Sequence, residues 1–171
     1  MSSLAMYQLD DCITIDAEGM TKTWLTPMFS DPAYFNGVCF TVQSYFDESL
    51  GRTRSAESQR ADHMHYAKTI NMLQARLASE DDQTVLSEST LMTVLCMLGH
   101  AYISGDLEAG NRHNRGLLKL VNMRGIESLL QNTRLCIEII RSVFRQTLET
   151  SPSTVTDQLY VSQLRLVRCN R

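Results

Sequence analysis

The two-residue link Gly105-Asp106, set between two long stretches of helical periodicity, constrains this chain more than any other feature. So short a connection forces the flanking helices into an antiparallel hairpin. Upstream, Ser87 is a helix cap, and Leu91, Val94, Leu95, Leu98 and Tyr102 recur at steps of three and four. Met92, Cys96 and Met97 widen that face until the helix is apolar nearly all round, the pattern of a helix sandwiched between neighbours. Downstream, Asp106 caps the second helix and Glu108 complements its dipole. Its expected buried residues are Leu107, Leu117, Leu118 and Val121, and Gly125 stops it after Arg124.

The rest of the chain is punctuated in the same way. Asp31-Pro32 opens a helix in which Phe35, Val38, Cys39, Val42, Tyr45 and Phe46 form one apolar stripe, closed by Gly51. Ser55 caps a helix expected over 56–79, with an inner stripe of Tyr66, Ile70, Leu73 and Leu77 flanked by Met64 and Ala67. A short helix is expected near Met20–Leu25, another over Ile126–Leu130, and a last one from Thr133 to about Leu148. No segment alternates with period two for long enough to make a strand. The fold class is therefore all-α, with antiparallel hairpins stacked into an irregular array over 16–148. A disordered N-terminus (1–15) and a flexible, divergent tail (149–171) are expected to flank it. The Gly105-Asp106 turn pattern does not recur at the repeat periods of about 34 or 40 residues that mark helical solenoids.

Charge and cysteine content exclude several functions. Residues 1–140 carry 11 Lys/Arg against 17 Asp/Glu, net −6, and residues 141–171 carry five Arg against two acids, net +3. An overall charge of −3 offers no electrostatic footprint for nucleic acid. The longest apolar stretch, Leu91 to Leu98, is far shorter than the ~20 residues that span a bilayer. The start of the chain lacks a secretory pattern, and cysteines at 12, 39, 96, 136 and 169 are odd in number and widely spaced. A reduced, intracellular protein is expected.

Candidate chemistry is sparse. Cys96 and His100 lie four apart on a helix, the spacing of two metal ligands, with no further ligand at matching spacing. His63 and His65 stand two apart and so point to different sides of their helix, one expected partly buried and one solvated. His113 sits in the donor-rich run Asn111-Arg112-His113-Asn114-Arg115-Gly116, with no carboxylate or nucleophile fixed beside it by sequence. No phosphate loop, nucleophile elbow or HExxH motif occurs. Neither catalysis, nor a bound cofactor, nor a metal is expected.

Gly105-Asp106, His113, Gly116-Leu117, Leu120-Val121 and Arg124-Gly125, in that order, resemble the fungal-specific transcription factor domain. That domain is the regulatory region of the zinc-binuclear-cluster regulators. Tyr66, Ile70, Leu73, Arg76-Leu77 and the Ser87–Leu98 helix fit the helix pair preceding the motif, so the resemblance spans Trp24 to about Ile140. Ile126 stands where the family has a second glycine, and the segment after Arg145 no longer follows the pattern. The chain is therefore expected to carry part of the family's domain. The six closely spaced cysteines of the family's DNA-binding module are not in this sequence. The resemblance implies a nuclear, non-catalytic regulatory domain that meets a protein partner or itself and does not read DNA, in which His113, Gly116, Leu117, Arg124 and Gly125 serve structure. A helical scaffold or adaptor protein unrelated to transcription is the alternative. Ile139, Ile140, Val143 and Phe144 on the last helix are the expected interaction face.

Overall fold

The computed structural model describes residues 21–150. A π-helical turn, Thr21–Leu25, leads into α1 (Thr26–Ser30), α2 (Pro32–Ser49), α3 (Ala56–Leu77) and α4 (Asp82–Val85). Then follow α5 (Glu88–Ile103), α6 (Leu107–Arg124), α7 (Ile126–Leu130) and α8 (Thr133–Thr150), with no strand among the described residues. The chain is all-α. The expected N-terminal tail (1–15) and all but the first two residues of the expected C-terminal tail (149–171) lie outside the described residues.

Local chemistry sets the helix starts. Asp31 accepts from the backbone N–H groups of Ala33 and Tyr34, Ser55 from Ser58, Ser87 from Thr90 and Asp106 from Ala109. Each fills part of the orphan-donor set of a first turn. Between α3 and α5 the short helix α4 forms because Asp81 caps Gln83 and Val85 drops into the core.

Two hairpins make up the body. In α2–α3, Asp31 meets Arg76 at one end while Asp47 and Asp62 share Arg54 at the other, so the helices run antiparallel. In α5–α6, Tyr102 lies over Gly110 and Arg124 reaches back to Glu88, again antiparallel. The hairpins join through their first helices. Asp31 meets Ser89, Gly37 meets Cys96 and Phe40 meets His100, so α2 and α5 advance together as a parallel pair. Helix α8 lies against α5 and α6. Leu91, Met92, Met97 and Leu98 of α5 are buried between these neighbours, together with Leu117 of α6 and Leu135 of α8.

The α2–α5 contact is built from small side chains. A Cβ placed on Gly37 would stand 3.2 Å from Cys96 Cβ, and one on Gly99 3.6 Å from Thr41 Cγ2. Thr41 Oγ1 donates to the Cys96 carbonyl at 3.0 Å, and Ser44, Thr69 and Thr93 are buried in or beside the seam. Close backbone approach through small residues brings many weak dispersion contacts into range.

Helix α6 ends at Gly125, whose φ of 84° and ψ of 139° suit glycine almost alone and whose N–H donates to Val121. The same residue begins α7. Gly125→Ala is expected to lower unfolding free energy by about 1–3 kcal/mol, read by urea denaturation. No loss would mean the turn relaxes freely.

Candidate functional site

The buried faces of α2 and α3 differ from the stripes expected of them. On α2 the inward residues are Ala33, Tyr34, Asn36, Gly37, Phe40, Ser44 and Asp47. Phe35, Val42, Tyr45 and Phe46, expected to be core, are 39%, 44%, 56% and 49% exposed, with Val38 and Cys39 half-buried beside them. On α3, Asp62, Thr69 and Leu73 are buried, Tyr66 and Ile70 are half-buried, and Leu77 and Met64 are exposed. Polar anchors cause the rotation.

The first anchor joins three helices. Asp31, already the cap of α2, lies 2.8 Å from an Arg76 guanidinium nitrogen at the end of α3 and accepts from Ser89 Oγ at the start of α5. Arg76 also donates to Thr90 Oγ1 at 3.2 Å. Burial alone would raise the Asp31 carboxyl, but the bonds from Arg76, Ser89 and the Tyr34 N–H, with the Arg76 charge, bring it below the ordinary carboxylate range.

A second anchor closes the opposite end. Arg54 lies 2.9 Å from both Asp47 and Asp62. Beside it His100 stacks edge-on against Phe40 at 5.0 Å and leans on Tyr66 at 5.4 Å. His65 Nδ1 shares a 2.7 Å hydrogen bond with Asn36 Oδ1, while His63 is exposed. These demands turn Asn36, Phe40 and Asp47 inward and leave the larger α2 stripe outside.

The motif residues fall on and around α6. Leu117 is fully buried, His113 half-buried and Gly116 exposed. Leu107 and Leu118, expected to be buried, are 59% and 38% exposed. Arg124 donates to the Leu86 carbonyl at 2.7 Å and to Ser128 Oγ at 3.2 Å, and pairs with Glu88 at 3.3 Å. Glu88 in turn accepts from Asn132 at 2.9 Å, so one guanidinium ties the α5 start to α6, α7 and the approach to α8. No spacing rule marks such long-range partners.

The expected interaction face on α8 is mostly occupied. Ile139 is buried in the core, Val143 packs against it, Phe144 is half-buried and Ile140 is 40% exposed. Helix α8 packs against α5 and α6, which takes Ile139 and Val143 out of the expected face and leaves Ile140 open.

The Cys96 and His100 pair has separate surroundings: Cys96 faces Gly37 and His100 faces the two rings. Among the described residues no three His, Cys, Asp or Glu side chains are grouped so as to hold a metal ion, and no helix is long and apolar enough to cross a membrane. Burial pushes the Cys96 thiol up to about 12, leaving it protonated and a poor nucleophile.

Burial, then the nearby Arg54 charge, lowers the His100 pKa; burial, then Arg112, lowers that of His113. Lowered folded values mean that the unfolded chain binds more protons, so stability is present above the free-imidazole value near 6.5 and is lost as pH falls below it. The thermal midpoint should drop between pH 7.5 and 5.5 by more in the parent than in a His100→Gln/His113→Gln variant. Equal drops would exclude these two groups as the cause.

What remains open is the outer face of α2. From Pro32 to Phe46 the helix carries no charged residue, and Tyr45 and Phe46 stand edge-to-face at 5.8 Å on its surface. Charge depletion with aromatic enrichment is the signature of an interface core. The sequence signal for this face is the uncharged run from Pro32 to Phe46 that carries the apolar stripe. The chain is thus an all-α domain that leaves Phe35, Val42, Tyr45 and Phe46 of α2 exposed. No protein-family model matches the sequence, and no curated protein or solved structure matches it either.

Proposed function

We propose that the chain is a non-catalytic regulatory domain that works by protein association, a nuclear regulator's helical region without its own DNA-binding module. The observation that carries the reading is the uncharged, aromatic outer face of α2, held outward by the Asp31 and Arg54 anchors. The resemblance around Gly105-Asp106, His113 and Arg124-Gly125 supplies the regulatory and nuclear part of the proposal. The titratable groups brought together on the inside serve as helix clamps: Asp31 with Arg76, Arg54 with two aspartates, and Arg124 with Glu88. Fused to a heterologous DNA-binding module in a fungal cell, the full chain is expected to change reporter transcription, and a Val42→Glu/Phe46→Glu variant is expected to lose the effect. An unchanged reporter with the parent chain present in the nucleus contradicts the proposal.

A further inference from the structure

We propose that the outer face of α2 is a self-association surface, and that its occupant is the same face of a second copy of this chain. The inference rests on the association reading above and names the partner. Four observations favour a second copy. Phe35, Val38, Val42 and Tyr45 follow one another at steps of three, four and three, with Cys39 and Phe46 beside them; that is the spacing of a helix-to-helix seam. Two such seams pack side by side without any change in the domain behind them.

The face is also compatible with itself. A two-fold dimer brings each residue against its own kind of surface, so a face with one sign of charge repels its copy. Between Pro32 and Phe46 there is no charge to repel. The size fits as well. The open fractions of Phe35, Val42, Tyr45 and Phe46, with their half-buried neighbours, amount to roughly 400 Å² of apolar surface. A standard interface takes about 800 Å² from each partner, a little over half of it apolar, so the stripe matches the apolar share of one side. Among the exposed apolar residues elsewhere, Ile126, Leu130, Ile137 and Ile140 of α7 and α8 are interspersed with Glu127, Arg134, Glu138 and Arg141, which breaks their continuity.

Sedimentation equilibrium of the full chain tests this, alongside mass-spectrometric mapping of alkylation at Cys39. The parent is expected to dimerise, with Cys39 labelling slowing as concentration rises. Val42→Glu/Phe46→Glu, at exposed positions, should weaken the dimer at least 100-fold while leaving the helical circular dichroism intact. Ile140→Glu, on α8, should dimerise like the parent. A parent that stays monomeric at about 1 mM overturns the proposal. So does a dimer that survives Val42→Glu/Phe46→Glu, or a monomer whose Cys39 is shielded at every concentration because another part of the chain covers the face. A monomeric parent whose reporter effect still depends on Val42 and Phe46 removes the second copy and leaves the association reading standing. A dimer with a silent reporter does the reverse.

Discussion

Asp31→Ala is expected to lower the unfolding free energy by about 3–5 kcal/mol, the loss that follows when one partner of a mostly buried ion pair is removed. Both side chains of the Asp31–Arg76 pair are 15% exposed, so solvent screens it little. The substitution also strips two capping bonds from α2 and the Ser89 contact to α5, leaving the Arg76 guanidinium with Thr90 as its remaining partner in this anchor. Asp31→Asn separates the contributions: asparagine caps nearly as well as aspartate but carries no charge, so its loss should be intermediate. The pH dependence has a fixed sign. Because the folded carboxyl titrates below its unfolded value, its contribution is present above about pH 4 and disappears as pH falls through the lowered folded value. Urea denaturation at neutral pH measures all three chains. A loss below about 1 kcal/mol for Asp31→Ala would show that the anchor is solvated.

Gly37→Leu should destabilise by on the order of 3 kcal/mol, at the upper end of overpacking effects. The nearest atom to a new Cβ is Cys96 Cβ at 3.2 Å, fixed to the α5 backbone and unable to swing aside. Gly99 makes the contrast. A Cβ there meets Thr41 Cγ2 at 3.6 Å, an ordinary contact, so Gly99→Ala gains helix propensity and should raise stability by up to about 1 kcal/mol. Opposite signs at two glycines of one seam are a demanding outcome. If Gly37→Leu is neutral, α2 and α5 do not approach as closely as described.

The helix starts and stops were legible in the sequence, because a cap and its first turn are a local bargain among neighbours. Asp31, Ser55, Ser87 and Asp106 each bond within three residues, and the α5–α6 hairpin follows from a link too short for anything else. The sandwiched position of α5 was legible for a similar reason, since a helix apolar all round has no face to give to water. The orientation of α2 was not. Stripe counting sends Phe35, Val42, Tyr45 and Phe46 inward, whereas the fold spends that side of the helix on Gly37, Thr41 and Ser44. Only small residues admit α5 at that distance. Asn36, Asp47 and Asp62 are buried because His65 and Arg54 meet them there, and such pairings span up to 29 positions. Arg124 is similar: its place in the last turn of α6 was readable, but its reach to Leu86 and Glu88 was not. On α8 the apolar stripe was read correctly as a stripe; its occupation by α5 and α6 is a tertiary fact.

Hydroxyl-radical footprinting of the dilute chain tests most directly whether α2 carries its aromatic stripe outward. Oxidation is expected at Phe35, Tyr45 and Phe46, with Tyr34 and Phe40 protected on the opposite side of the same helix. Protection of Phe35, Tyr45 and Phe46 at every concentration, with Phe40 oxidised instead, would mean that α2 is seated the other way round and that the association surface does not exist.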